Sequence, residues 1–315
     1  MIVIGEHPLR ARAVNSQALL GSQQAYLLGV AHQECADAAI AALQAGKVAL
    51  GRDLPLLQAV ELEELEERLD LPPSGKSCAF CYTGRQLTDE HVWPQWLSLA
   101  IAETFRTDPG RRSFVMHGQN TRKARRVIEV VAPICHDCNT RWMSTLETDA
   151  KSLVTDLATG KPRELDAADQ QLLATWAVKT ALMFDLSSGP EAVVPLGAYR
   201  HFAMKRRPLD GMWVIVGACV PTRPATGQRQ PIWIDIPETE HPNVVALTLT
   251  AGCLMLQVIA HFVVSGTFHD NREHSRATER IWPPAKPKIS WPPEEWFDWQ
   301  AVQAYAASFE NRPAR

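Results

Sequence analysis

Cys78-Ala-Phe-Cys81 and Cys135-His-Asp-Cys138 are the two short segments that decide how the middle of this chain folds. Each segment is a C-x-x-C pair, and zinc prefers four thiolate or imidazole ligands arranged as a tetrahedron. Four thiolates leave no coordination position for water, so the two pairs together predict a closed, structural zinc site. Such a site joins distant parts of a chain and can supply folding free energy on the order of 10 kcal/mol.

The remaining cysteines argue for a reducing compartment. Cys35, Cys219 and Cys253 stand alone in apolar runs, which is typical of small buried hydrophobic residues. The odd total of seven and the lack of an export signal argue against a disulfide framework. Two alternatives remain for the paired cysteines: buried thiols without metal, or a redox pair, although neither pair opens a helix in a βαβ pattern.

Composition sets broad limits on function. The chain has 315 residues, which suggests two domains with a further small segment. Its 32 basic and 35 acidic side chains give a net charge of −3, so a uniformly basic nucleic-acid coat is excluded. No stretch is long and apolar enough to span a bilayer, so we expect a cytoplasmic protein without a membrane partner.

Three regions differ in composition, and together they predict an α+β fold. Residues 1–75 predict a helical N-terminal segment that ends at Pro72 and Pro73. Residues 76–158 carry the paired cysteines, and residues 159–315 predict an α+β C-terminal domain that contains an antiparallel sheet. In this last region Asp166 is a good helix N-cap, and Ala251-Gly252 predicts a hairpin turn. Strands are predicted at 212–220, 232–236, 244–250 and 254–264, and a final helix near 296–308.

Further residues beside the cysteines carry a family pattern. Glu90-His91 lies between the two pairs, Pro94 follows three residues after the histidine, and Asn139 follows the last cysteine. This combination resembles the HNH endonucleases, the ββα-metal nuclease superfamily, in their four-cysteine, zinc-bearing form. The string EHVWPQWL…CHDCNTRWMSTLE also looks like a group of bacterial and phage proteins described only as HNH endonucleases. The resemblance covers about residues 76–150 and implies a ββα-metal core.

The resemblance implies a division of roles. His91 would be the general base, since a neutral imidazole can deprotonate water at physiological pH. Glu90 and Asn139 would bind a catalytic Mg²⁺ or Mn²⁺, which prefers oxygen ligands, while the cysteines hold zinc. Glu90 stands where Asp is commoner in the family, and Asp89 is a competing carboxylate.

Each of these assignments has a structural alternative. His91 could be a packed core histidine. Asn139 could be the N-cap of the helix that follows the second cysteine pair, since Asn is favoured at that position. Glu147 lies about two helical turns beyond Asn139, so we expect it to reach a partner on the far side.

A basic insert separates His91 from the second cysteine pair. Between residues 106 and 126 the chain carries seven cations and the single acid Asp108. Clustered cations bind phosphates without regard to sequence, so we expect contact with duplex or branched DNA. The alternative is a solvated surface loop. The predicted nucleic-acid contacts are Arg111, Arg112, Arg122, Lys123, Arg125, Arg126 and, beyond the second cysteine pair, Arg141.

The sequence therefore predicts a metal-dependent DNA endonuclease. The first rival is a non-catalytic zinc-knuckle protein that binds nucleic acid. The second rival is an interaction protein whose Trp-Pro-Pro segments at 282–284 and 291–293 bind a partner.

Overall fold

The computed structural model describes residues 77–82, 86–106, 114–117, 120–123, 131–189, 192–221, 225–232, 244–261 and 276–307. The helices predicted within residues 1–75 lie outside these ranges. The described part of the chain is mixed α and β with antiparallel sheets, which confirms the predicted class at that level. No helix in it is long and apolar enough to cross a membrane.

The region of the paired cysteines contains a two-stranded antiparallel sheet. Strand β1 (Leu87–His91) pairs with β4 (Val131–Cys135), with Leu87 opposite Cys135 and His91 opposite Val131. Pro94 ends the turn after β1 and starts helix α1 (Gln95–Phe105), because its fixed φ suits the first turn of a helix. The strand register places His91 and the second cysteine pair at opposite ends of the ladder.

A continuous helical segment follows β4. It begins with one turn at His136–Cys138, passes through a π-helical turn at Asn139–Met143 and continues as α2 (Ser144–Ala158). The helix packs against α1 and against the next long helix, α3 (Ala167–Leu186). Asp166 caps α3 as predicted, since its carboxylate accepts hydrogen bonds of 2.9 Å from the backbone amides of Ala168 and Asp169.

The largest sheet has seven strands, of which five come from the C-terminal region and two from the basic insert. They are β2 (Phe114–His117), β3 (Asn120–Lys123), β6 (Met212–Ala218), β7 (Ala225–Ile232), β8 (Val244–Ala251), β9 (Leu254–His261) and β10 (Thr278–Trp282). Their order across the sheet is β10-β6-β9-β8-β7-β2-β3. A small sheet of β5 (Arg163–Leu165) and β11 (Ile289–Trp291) lies outside it.

The strands predicted in the C-terminal region are described to different extents. Of the strand expected at 232–236, only Ile232 is described, as the last residue of β7, which begins at Ala225; residues 233–243 lie outside the described ranges. The other predicted strands overlap β6, β8 and β9, and Gly252, with φ of 58°, forms the turn between β8 and β9. Helix α4 (Leu196–Lys205) precedes β6 in the chain, and the predicted final helix is α5 (Trp299–Ala307).

The basic insert forms a hairpin at one edge of the large sheet. Strand β2 pairs in parallel with β7, with His117 opposite Arg229, and β3 pairs antiparallel with β2. Alternating patterns alone did not predict these strands, because each has only four residues, β2 begins with three consecutive apolar residues, and β3 is polar and basic. Strand β3, which contains Arg122 and Lys123, is the outermost strand of the sheet.

Helix α3 covers one face of the large sheet. Residues of this helix, including Trp176 and Phe184, are buried in one apolar cluster with Val214 and Leu247 of the strands. The helix touches the sheet closely at Gly227, where an added Cβ would lie 2.5 Å from the Phe184 ring. The cluster also contains residues of β4 and of the cysteine pairs, so the apolar core is continuous across residue 159. The division into three domains stays a prediction.

Two buried charged networks connect α3 to its neighbours. Asp185 accepts hydrogen bonds from the Tyr199 hydroxyl at 2.7 Å and from the Arg229 guanidinium at 2.9 Å, which ties α3 to α4 and β7. The Lys179 ammonium donates to Glu147 Oε1, which ties α3 to α2. Lys179 is 2% exposed and Glu147 is 20% exposed, so this pair is largely removed from water.

Removing one partner of the Lys179–Glu147 pair should destabilise the fold. We expect Lys179→Met to lower the free energy of unfolding by about 3 kcal/mol, because it leaves a carboxylate poorly solvated and unpaired. The double variant Lys179→Met, Glu147→Leu should recover most of the lost stability, because no charge then remains uncompensated. Urea unfolding of metal-loaded protein, followed by tryptophan fluorescence, measures the free energy of unfolding of the wild type and of each variant.

The exposed pair Lys286–Glu279 is the matched control, because its side chains are 57% and 29% exposed. Replacing Lys286 by Met should change stability by about 1 kcal/mol or less, as for most surface ion pairs. A Lys179→Met variant as stable as this control would contradict the assignment of a buried pair.

Candidate metal centre and its surroundings

The four paired cysteines converge on one point. The Sγ atoms of Cys78, Cys81, Cys135 and Cys138 all lie within 4.8 Å of one another. A zinc ion with four bonds of about 2.3 Å places its sulfurs about 3.8 Å apart, and the Cys81 and Cys135 sulfurs are 3.6 Å apart. The cluster could therefore hold a metal ion such as zinc, as the spacing predicted. Three of the cysteines are buried and Cys81 is partly exposed.

Local backbone geometry sets the positions of the cysteine sulfurs. The Tyr82 amide donates to the Cys78 carbonyl at 2.8 Å, which closes the turn of the first pair. Tyr82 itself has φ of 61°, an unfavourable left-handed conformation for a residue with a Cβ. Cys135 ends β4 and is the N-cap of the following helix, where its sulfur accepts from the Cys138 amide at 3.4 Å.

Hydrogen bonds within the cluster distribute its protons unevenly. The thiol of Cys138 donates to Cys78, which lowers the pKa of Cys78 to about 5. That same interaction raises the pKa of Cys138 far above its usual range, and burial raises the pKa of Cys135 to about 11. A metal ion binds thiolates, so it must displace the protons of these thiols. Because protons compete with metal, affinity should rise with pH.

Aromatic side chains support the cluster from the C-terminal region. Phe80, between the first two cysteines, contacts Trp142 edge-on with centroids 5.7 Å apart and Tyr199 with centroids 5.4 Å apart. Phe202 also contacts Trp142, with centroids 6.0 Å apart. Tyr199 and Phe202 lie on α4, so this helix forms one wall of the candidate metal centre. Sequence reasoning missed this wall, although the aromatic spacing of three residues is a helical signal.

Glu90 and His91 are the last two residues of β1, and both are partly exposed. The Thr88 hydroxyl lies 2.8 Å from Glu90 Oε1 and 3.0 Å from the Ile134 carbonyl oxygen, so it can donate to either. Asp89, the competing carboxylate, is exposed and points to the opposite face of the strand from Glu90. In the described part of the chain, no hydrogen bond or ion pair links Glu90, His91 and Asn139 to one another.

Asn139 is not the N-cap of its helix. The helix begins at His136 and Cys135 caps it, so Asn139 lies one turn inside, as the first residue of the π-helical turn. The capping alternative is therefore wrong, because the cysteine pair itself starts the helix. A π-helical turn accommodates one extra residue and is frequent at functional sites.

The π-helical turn also changes which residues share a face. Glu147 lies eight positions after Asn139, which would place the two about 80° apart around a regular α-helix. One extra residue in the turn makes the separation equivalent to about seven positions, so both lie on nearly the same face two turns apart. Glu147 accepts a hydrogen bond from Lys179 of α3. Within the described residues, its Oε2 atom is buried without a hydrogen bond.

The predicted nucleic-acid contacts are only partly described. The Arg141 side chain is 80% exposed, and its Nε atom lies 3.8 Å from Oδ1 of Asp137, which is one turn earlier. Arg122 and Lys123 lie on β3. The other four, Arg111, Arg112, Arg125 and Arg126, lie outside the described residues.

Loss of one cysteine should remove the metal. We expect wild-type protein purified with zinc to hold one equivalent, and Cys138→Ala to hold less than about a fifth of it, since three thiolates bind zinc far more weakly. Zinc released on denaturation and measured with a chelating dye gives the stoichiometry. Cys253→Ala is the matched control, because Cys253 is also buried but lies outside the cluster. Equal zinc content in both variants would disprove the site.

Comparisons of this chain with protein-family profiles, with curated proteins and with solved structures find no significant match. The resemblance to HNH endonucleases therefore rests on the chain's own motifs. Of the residues that carry it, the structure brings together the four cysteines.

Proposed function

We propose that this chain is a metal-dependent endonuclease of the HNH type that hydrolyses DNA phosphodiester bonds. The observation that carries the proposal is the cysteine cluster together with the elements it joins. Strand β1 ends in Glu90-His91, β4 pairs with it and ends in Cys135, and a helix containing Asn139 begins at the next residue. This order of two antiparallel strands and a helix is the one that a ββα-metal core requires.

In this proposal the cysteines bind a structural zinc ion. Their close approach and burial fit a closed tetrahedral site with no position for a substrate. The metal would hold the turn of the first pair against the start of the helix, so that β1 and the helix keep a constant relative position. Since His91 lies at the far end of the ladder from Cys135, the zinc would not share a ligand with the chemical step.

His91 would act as the general base. His91 is a partly exposed residue at the end of β1, where the proposal has its imidazole meet water and a phosphate. A histidine in such a position can take a proton from the attacking water as the phosphorus–oxygen bond forms. The 3′ oxygen then leaves as its bond to phosphorus breaks.

Glu90 and Asn139 would hold the catalytic Mg²⁺ or Mn²⁺. A carboxylate and an amide oxygen are suitable ligands for such hard cations, which keep several coordination positions for water and phosphate. The ion, when bound, neutralises charge on the phosphate and on the leaving oxygen. Glu90 keeps Oε2 for this purpose even when Thr88 donates to Oε1.

One observation favours the rival, a non-catalytic zinc-knuckle protein that binds nucleic acid. The hydroxyl of Thr88 reaches both Glu90 and the backbone of β4, so Glu90 could serve to strengthen the pairing of the two strands. Under this alternative Glu90 and His91 are structural, and the protein binds DNA without cutting it.

Substitution of the proposed base separates the two functions. We expect His91→Ala to lower the rate of plasmid cleavage in Mg²⁺ by at least about 100-fold, since general-base catalysis contributes that much or more. DNA affinity should change less than about threefold, because one partly exposed imidazole adds little to phosphate binding. Gel analysis of plasmid, branched and single-stranded substrates, with anisotropy for binding, measures both.

His261→Gln is the matched control, because His261 ends β9 in the large sheet and has no role in the proposed site. Cleavage by His91→Ala at the control rate would remove His91 from the mechanism. If wild type and variant both bind DNA and cut none of the substrates, the protein is the non-catalytic rival.

The basic insert should contribute phosphate contacts. Replacing Arg122, Lys123, Arg125 and Arg126 by Gln should reduce the slope of log affinity against log salt by up to about 3.6, since each phosphate contact contributes about 0.9. Titrations of labelled duplex at several salt concentrations measure the slope. An unchanged slope would mean that the insert is a solvated hairpin with no part in binding.

A further inference from the structure

Helix α4 and the residues after it carry a second basic segment. Between Glu191 and Asp210 the chain has no acidic residue, and it carries Arg200 and the consecutive cations Lys205, Arg206 and Arg207. This concentration of positive charge occurs in a chain whose net charge is −3. Sequence reasoning passed over the segment because it is far along the chain from the cysteines, and no local pattern indicated that the two would meet.

The apolar side of α4 holds it against the candidate metal centre. Tyr199 and Phe202 are 1% and 0% exposed and make the contacts with Phe80 and Trp142 described above. The guanidinium carbon of Arg200 lies 5.1 Å from the ring centroid of Tyr82, the residue after Cys81. These contacts hold α4 beside both cysteine pairs, and the three consecutive cations follow at its C-terminal end.

The three consecutive cations at this end face solvent. Lys205, Arg206 and Arg207 are exposed, as is the neighbouring Met204 at 47%. Among the ion pairs of the described residues, none involves Arg206 or Arg207. Two adjacent guanidinium groups that form no ion pair with another described residue make a surface that favours an external polyanion.

Backbone conformation at the end of α4 is a local feature of helix termination. Arg206 ends the helix with φ of 51°, a left-handed conformation for which Gly is the usual residue. Arg106 ends α1 in the same conformation, with φ of 50°, so the chain ends both helices with a left-handed arginine. A cation at a helix C-terminus is itself favourable by about 1 kcal/mol or less.

We propose that Lys205, Arg206 and Arg207 form a phosphate-binding strip that contacts the backbone of a nucleic acid beside the cysteine cluster. Arginine suits this ligand because its planar guanidinium can donate two parallel hydrogen bonds to a phosphate. A lipid surface fits less well. A membrane-bound helix inserts its apolar face, and the apolar face of α4 is buried against Phe80 and Trp142.

The strip deepens the proposed function, since it rests on nucleic acid being the substrate. The strip lies at the end of α4, in the C-terminal region, whereas the basic insert forms the edge strand β3 of the large sheet. A nucleic acid that binds both the strip and the basic insert would contact two separate basic surfaces.

The test uses the full chain loaded with zinc and a fluorescein-labelled DNA duplex. The triple variant Lys205→Gln, Arg206→Gln, Arg207→Gln should bind at least about tenfold more weakly at low salt, and its salt slope should fall by about two to three. The control triple variant replaces Lys161, Lys286 and Lys288 by Gln, which are exposed lysines elsewhere, and removes the same charge. It should retain affinity within about threefold, because long-range charge alone is screened by salt.

Arg206→Gly separates charge from folding. Glycine suits the left-handed conformation, so the thermal midpoint should not fall, while DNA affinity should still decrease by about threefold or more. Equal weakening by both triple variants, or full affinity in the strip variant, would overturn the proposal. So would strip-dependent binding to phosphatidylserine vesicles or polyglutamate in a protein that does not bind DNA.

The outcome is independent of catalysis. A wild-type protein that cuts DNA while the strip variant binds normally would refute the strip and leave the nuclease proposal intact. A wild-type protein that cuts nothing, but binds DNA through the strip, would refute the nuclease and support the strip.

Discussion

Four cysteine sulfurs within 4.8 Å of one another impose the main constraint on this protein. They come from two segments far apart in sequence, and one of them, Cys135, is both the last residue of β4 and the cap of the following helix. The position of the helix relative to the strands therefore depends on the same atoms that can bind a metal. The pKa of Cys78 is lowered by a side-chain hydrogen bond with Cys138, while the pKa values of Cys135 and Cys138 are raised, so proton loss and metal binding at the cluster are linked.

The cluster is not an isolated knuckle. Phe80 and Trp142 pack on α4, and Glu147 on the helix after the cluster is paired with Lys179 of α3. Both contacts reach into the C-terminal region, whose large sheet in turn contains two strands from the basic insert. Apolar packing and a buried ion pair thus make the metal centre and the C-terminal sheet depend on each other. A variant in either region can therefore affect the other without contacting the metal.

Particular residues show how far sequence reasoning reached. The spacing of the cysteines predicted the cluster, because each C-x-x-C pair is a local unit and four thiolates complete one tetrahedral site. Asn139 was open to a capping interpretation because Asn is common at N-caps, and only the start of the helix at His136 decided against it. The strands of the insert escaped prediction because each has only four residues, β3 is polar and basic, and β2 has a short apolar run without alternation; the pairing of β2 with β7 is a property of the sheet.

The sequence by itself determined the local features: the two cysteine pairs, the helix capped by Asp166, and most strands of the C-terminal sheet. Each follows from chemistry within a few residues, such as metal-ligand spacing, a side-chain cap or an alternating apolar pattern. Only the tertiary structure decided which distant groups meet, including Lys179 with Glu147 and helix α4 with Tyr82 and Trp142. These contacts depend on how layers pack over long separations in sequence, where no local periodicity records the partner.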